Sequence, residues 1–258
     1  MPTYLVFDLF APHGSFGAPS ISAASSAFRW SELEPPRSAL VGLLAAALGL
    51  AREEQVRVDR DFAFAVRVDV PPVRDPAPDY HTILPGRAPA GRDRWSRLQE
   101  QRHVLAGGFT EGSIISRREY WTAGCFTVVV ARRDGTAEGL AEAAAALRRP
   151  AWPLYVGRRA CPLGAPPDPV LVEAPDVCTA LRTRPPLPER RPAFPDALRD
   201  RVARPRRILF DPGLPGAPEP LRTVLRRDRP AHLRHGDGVL LRRFFVAERG
   251  ECLEEDPR

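Results

Sequence analysis

Residues 4–10, YLVFDLF, form a short run of aromatic, β-branched and apolar side chains that stops at Pro12 and Gly14, the pattern of a buried strand. After a Ser/Ala-rich stretch, Pro36 stands where the first turn of a helix tolerates proline. Residues 37–50, RSALVGLLAAALGL, then run apolar on nearly every side until Gly49 closes them. A helix so apolar must be buried over almost all its surface. Residues 62–70, FAFAVRVDV, return to β character, and residues 124–131, GCFTVVVA, give a second strong strand before the turn at Asp134-Gly135. Residues 137–149, AEGLAEAAAALRR, are strong helix formers ending in arginines that suit the negative helix end. WPLYVGRR, residues 152–159, is short and β-like.

The predicted order is β-α-β-β-α-β, the split arrangement of ferredoxin-like and RNA-recognition-motif folds, so the expected class is α+β. This main domain covers residues 1–165. Between its second and third strands lies an insertion, about 71–120, longer than the minimal fold needs, and such insertions are functional or disordered. It carries Arg87, Arg92, Arg94, Arg97, Arg102, Arg117 and Arg118, with Trp95, Phe109 and Gly107-Gly108 interleaved. An arm that grips phosphate is one reading; a solvated loop is the other. Residues 166–205 are so rich in proline that an extended connector is expected. Residues 206–258 form a basic C-terminal β extension, with strands expected at RRILF, RTVLRR and GVLLRRFFVAE. No internal repeat is evident.

Composition narrows the partners. A chain of 258 residues with 43% hydrophobic content buries one sizeable core and a smaller appendage, which excludes a disordered or fibrous protein. A formal net charge of +6 suits a polyanion, nucleic acid first and an anionic membrane second. All 38 cationic residues are arginine, whose planar fork grips phosphates and stacks on bases. The abundance of Ala, Gly and Pro favours genomic base composition as the cause of that bias. The start, MPTYLVFDLFAPHG, reads as an immediate strand rather than a secretory signal, and no apolar run reaches the roughly 18 residues of a membrane span. Cys125, Cys161, Cys178 and Cys252 lack zinc-site spacing, and reduced, buried thiols are expected. These features predict a cytoplasmic protein with no membrane partner, metal or cofactor.

Catalytic machinery leaves little trace. No Walker loop, GxGxxG, GxSxG or HExxH is present. His13, His81, His103, His232 and His235 are scattered, and the close pair at 232 and 235 has no carboxylate or cysteine cluster beside it. Asp79-Tyr80-His81-Thr82 is the most loaded stretch. Tyr80 and His81 have the chemistry for metal-independent RNA cleavage, one group taking the 2′-hydroxyl proton and the other protonating the leaving 5′-oxygen. They equally suit base stacking and phosphate binding without chemistry, the preferred reading because no pKa-tuning partner is visible. A second stretch, Gly157-Arg158-Arg159-Ala160-Cys161-Pro162-Leu163-Gly164, follows the β-like segment. Its glycines permit close approach to a phosphodiester that paired arginines neutralise.

Taken in order, YLVFDLFAPHGSFG, PPRSALVGLLAAALGL, DYHTIL, RREYWTAGCFTVVV and PLYVGRRACPL resemble the RAMP-type CasD subunits of type I-E CRISPR surveillance complexes, called Cascade, in the Cas-five family. The resemblance covers residues 3–165 and does not reach the tail. It implies a ferredoxin-like domain with an arm, capping one end of the Cascade backbone and holding the 5′ handle of the CRISPR RNA. Its partners are then that crRNA, the backbone subunit, the large PAM-reading subunit and, through the complex, target DNA, whose sequence is read by pairing with the RNA. Carried over by motif, RNA contacts fall to Arg37 and Ser38 at the first helix and Tyr80 and His81 at the arm's base. Arg87 and Arg102 lie in the arm, Arg117 and Arg118 at its return, and Arg158 and Arg159 in the glycine loop. The chain departs from the family in having Ser15-Phe16-Gly17 where a Trp often precedes the Gly, and in the acidic, proline-rich SELEPPRS before the first helix. The implied subunit is not an enzyme. The rival is an endoribonuclease that processes the CRISPR precursor through Tyr80 and His81, as the related subunit of type I-C systems does. A free-standing RNA-binding protein of the same fold is the third reading.

Overall fold

The computed structural model describes residues 1–17, 28–83, 114–234 and 240–254. In chain order the strands are β1 (Thr3–Gly14), β2 (Phe16–Gly17), β3 (Phe28–Arg29), β4 (Ser31–Glu32), β5 (Phe62–Val70), β6 (Val73–Arg74), β7 (Asp79–Ile83), β8 (Ile114–Arg118), β9 (Trp121–Arg132), β10 (Val170–Glu173), β11 (Arg206–Phe210), β12 (Arg222–Arg234) and β13 (Leu240–Glu254). The helices are α1 (Arg37–Ala47), α2 (Gln55–Asp61), α3 (Leu140–Arg148), α4 (Val177–Arg182), α5 (Leu187–Arg190) and α6 (Asp196–Arg199). The main sheet runs β10-β1-β9-β5-β11-β13-β12, with β6 beside β9, and its neighbours are antiparallel. The result is a mixed α/β chain built on one large antiparallel sheet.

The central strands are apolar throughout because both faces of the sheet are covered. Leu5, Phe7 and Leu9 of β1, Phe64, Val66 and Val68 of β5, and Phe126, Val128 and Val130 of β9 pack against α1 and α3. The alternate residues, Tyr4, Val6, Ala63, Ala65 and Val129, face α4, with Ile208 and Phe210 of β11. Small Ala side chains on this second face let α4 approach closely. Leu40, Val41 and Leu44 carry α1 into the first core. Each such side chain contributes about 1.5–3 kcal/mol by leaving water.

Arg67 lies at 1% exposure in the middle of β5, where all other residues except Asp69 are apolar. Its Nε meets Asp69 at 2.6 Å, and its two terminal nitrogens donate to the carbonyls of Leu181 (2.8 Å) and Arg184 (2.7 Å) and to Thr127 Oγ1 (3.1 Å). Glu254 of β13 lies 3.4 Å away and also takes Arg206 Nε at 2.9 Å. Arg184 in turn donates to buried Asp8 at 2.8 and 3.1 Å, and Arg190 reaches the same carboxylate. One buried ionic network therefore ties β1, β5, α4 and the C-terminal strand together. A pair so desolvated is strongly destabilising to break, because the surviving charge is left without compensation.

Three expectations are corrected. WPLYVGRR is not a strand: Pro153 and the positive φ of Gly157 make it a loop closed by a single bridge between Tyr155 and Pro162. The strand beside β1 is instead β10, four residues inside the stretch expected to be an irregular connector. That stretch also holds α4, α5 and α6, since its prolines fall at helix starts, where the missing N–H costs nothing: Pro186 and Pro195 at N-caps, Pro188 in the first turn. Asp176 caps α4 by accepting the Thr179 N–H at 2.7 Å. The C-terminal strands continue the main sheet, β11 pairing with β5 from Arg207 opposite Val68 to Phe210 opposite Ala65.

Candidate nucleic-acid interface

Where the predicted arm leaves the sheet, β7 and β8 pair antiparallel, with Asp79 opposite Arg118, Tyr80 opposite Arg117 and His81 opposite Ser116. β3 joins β8 in parallel. Because strand side chains alternate, Tyr80 and Arg117 share one face, and Asp79, His81 and Arg118 share the other. Tyr80 is 54% exposed, and the Arg117 guanidinium lies 5.9 Å from its ring centroid. On the opposite face, along β7 itself, His81 Nε2 lies 2.6 Å from Asp79 Oδ2. Tyr80 and His81 therefore cannot flank one scissile bond from this hairpin, and the acid–base pairing conceived from their adjacency is not formed. Arg87 and Arg102 of the arm lie outside the described residues.

From Arg118 the chain passes through Glu119 and Tyr120 into β9. Glu119 accepts from the Ser31 N–H at 2.9 Å and from Arg74, fixing the turn. Tyr120 stacks on His13 (4.7 Å between centroids, 27° between planes). Arg158 covers Tyr120, its guanidinium 5.2 Å from the centroid and one nitrogen 3.4 Å from the phenol oxygen. Gly157 makes this possible: its φ is +75°, and a Cβ there would sit 1.9 Å from the Ser15 carbonyl oxygen. Ser15 Oγ donates to the Glu119 carbonyl at 2.9 Å, which joins the glycine loop to the end of β8. Burial raises the Cys161 thiol, which is packed within the same loop.

Beside the glycine loop, a groove of about 540 Å³ runs between α1 and residues 152–162. Ser38, Arg52, Gln55, Trp152, Tyr155 and Arg159 are among its lining residues. Trp152 is 60% and Tyr155 39% exposed, so aromatic faces and two guanidinium groups meet in one concave surface. Exposed rings beside arginines suit an unstacked base and its phosphate.

Of the predicted residues, Ser38 and Arg159 thus come together in the groove, Arg158 in the Tyr120 stack, and Tyr80, His81, Arg117 and Arg118 at the hairpin. Arg37 goes elsewhere. It is 3% exposed, bonds the Phe62 carbonyl at 3.0 Å, pairs with Asp59 at 3.1 Å and Asp211 at 3.3 Å, and lies over the Phe64 ring. Its charge serves the core and cannot reach an RNA. Sequence reasoning missed Arg52, Gln55, Tyr120, Trp152 and Tyr155. WPLY carried a usable signal: a Trp and a Tyr framing a proline belong to no sheet face, which leaves them to the surface. Among the described residues no group of three His, Cys, Asp or Glu side chains is placed to hold a metal ion, and no helix is long and apolar enough to cross a membrane.

A family model described as CRISPR-associated protein (Cas_Cas5) matches residues 4–249. The chain belongs to this family of CRISPR-associated proteins. Among its curated relatives is the CRISPR system Cascade subunit CasD of Escherichia coli (strain K12), 29% identical over 175 residues, 64% of this chain and 70% of the relative. A chain of a solved structure named CRISPR RNA-guided surveillance complex has the same fold: TM-score 0.56 at 24% identity, over 98% of this chain and 90% of the other.

Proposed function

We propose that this chain is the CasD-type subunit of a type I-E Cascade, binding the crRNA 5′ handle at one end of the complex for antiviral defence. The kinship with the E. coli Cascade subunit carries the reading, and the basic, aromatic surface from Tyr80 to Arg159 supports it. Strands β1, β5, β9 and β10, in the order β10-β1-β9-β5 with α1 and α3 as crossovers, make the ferredoxin-like RAMP domain of residues 1–165 extended to residue 173. The arm of about 71–120, based on the paired strands β7 and β8, contacts the neighbouring backbone subunit. The large PAM-reading subunit docks nearby, target DNA meets the chain only through the assembled complex, and the complex works in the cytoplasm.

The binding surface is built to hold rather than to cut. Arg117, Arg118, Arg158, Arg159 and Arg52 neutralise successive phosphates, while Tyr80, Trp152 and Tyr155 offer faces for unstacked bases. Cleavage of RNA without a metal needs an acid and a base that converge on one phosphodiester, one at the 2′-oxygen and one at the 5′-oxygen, and the paired strands turn Tyr80 and His81 away from each other. Co-expression with the other subunits of a type I-E complex and a crRNA tests the proposal. The chain co-purifies stoichiometrically with RNA bearing an intact 5′ handle; recovery of the complex with the chain absent and the handle still protected from nuclease would overturn it.

A further inference from the structure

Cys178 stands in the first turn of α4 and Cys252 on β13, opposite Ile208 of β11. Both pack into the core between the sheet and α4, with Val177, Ala180, Leu181 and Ile208. Their side chains are neighbours in that core, and each thiol shifts the ionisation of the other, although 73 residues separate them in sequence. The two differ in access: Cys178 is half-buried and Cys252 is 7% exposed. Cys125 and Cys161 are buried in other parts of the fold and lack such a neighbour among the described residues.

We propose that Cys178 and Cys252 form a reversible thiol-oxidation site, closing to a disulfide that fastens the C-terminal strand to α4. With a peroxide as oxidant, the Cys178 thiolate attacks one peroxide oxygen. The O–O bond breaks, the departing hydroxide takes up the thiol proton as water, and Cys178 becomes a sulfenic acid. The Cys252 sulfur then attacks the Cys178 sulfur. A second water leaves with the Cys252 proton, so two thiols and one hydrogen peroxide give one disulfide and two waters. The order of events follows from access, since the attacking sulfur is the one solvent reaches and the resolving sulfur is the one packed behind it. The neighbouring Cys252 thiol also holds the Cys178 thiol below the usual thiol range, favouring the nucleophilic form.

The link matters because of what β13 carries. Glu254, two residues beyond Cys252, completes the charge network around Arg67 and Arg206. A covalent tie at Cys252 holds that carboxylate in place. The inference stands apart from RNA binding and does not depend on it.

The purified full chain, treated with hydrogen peroxide at a small molar excess, unfolded in N-ethylmaleimide and digested with trypsin, tests the site by mass spectrometry. Peptides 160–182 and 250–258 appear as a linked pair that dithiothreitol separates, with fragment ions assigning the bond to Cys178 rather than to Cys161. Thermal unfolding of the oxidised chain shifts upward by about 5–15 °C relative to the reduced chain, as a disulfide closing a long loop does in a domain of this size. Cys178→Ser and Cys252→Ser each abolish both changes. Peroxide treatment that leaves Cys252 fully alkylated while Cys178 proceeds to sulfinic acid overturns the proposal, and needs no variant to fold.

Discussion

The Arg158 guanidinium caps the ring of Tyr120, which in turn stacks on His13, so that a cation and an aromatic ring from distant segments present one surface at the end of β8. Pre-stacked in this way, Arg158 loses little freedom when it takes a phosphate. Arg158→Ala and Tyr120→Ala are each expected to weaken handle RNA binding about 5- to 100-fold, the range of a lost base-stacking or phosphate contact. Removing Arg158 also lowers the slope of log affinity against log salt by about one. Fluorescence anisotropy across a salt series reads both effects.

Gly157 is held in the left-handed region against the Ser15 carbonyl. Gly157→Ala places a methyl where there is backbone, at a φ that Ala adopts with strain. The variant is expected to lose more than about 1 kcal/mol of stability in urea unfolding. Its RNA affinity falls with that of Arg158→Ala, because the loop that aims Arg158 is displaced.

Arg67→Met removes the hub of the buried charge network and leaves Asp69 without its cation, while Glu254 keeps Arg206. A loss of about 3–5 kcal/mol is expected in denaturant unfolding. The double variant Arg67→Met with Asp69→Leu recovers part of that loss, since an apolar pair replaces a stranded carboxylate.

Arg37 separates the two roles an arginine can play here. Arg37→Ala is expected to destabilise the fold by several kcal/mol, through the lost ion pairs to buried Asp59 and Asp211, with RNA affinity of the folded fraction within about twofold of the parent. Paired measurements of thermal unfolding and RNA binding distinguish this from Arg52→Ala, where binding falls and the melting temperature holds.

The sequence was most legible where local pattern and burial agree. β1, β5 and β9 are buried on both faces, so their apolar runs needed no register to be recognised, and α1 is apolar all round because it lies in the core. β10 was hidden because it is only four residues long, alternates in burial and sits among prolines. Arg37 was misread because its two carboxylate partners come from a separate helix and from the far end of the chain, a relation that no local window contains. The pairing of Tyr80 with Arg117 was equally invisible: motif order brought both to notice, but only register puts them opposite each other, and only the strand conformation of residues 79–83 turns Tyr80 and His81 to opposite faces. Arg158 and Arg159 were found as a pair, yet one joins Tyr120 and the other the groove.

Incubation of the purified chain with end-labelled repeat RNA carrying the 5′ handle, in EDTA, with retention read on a filter and integrity on a gel, tests the central claim most directly. Tight, salt-sensitive retention of uncut RNA, weakened by Arg158→Ala, is expected. Defined cleavage in EDTA that disappears in His81→Ala would contradict it, and would make the chain the processing ribonuclease instead.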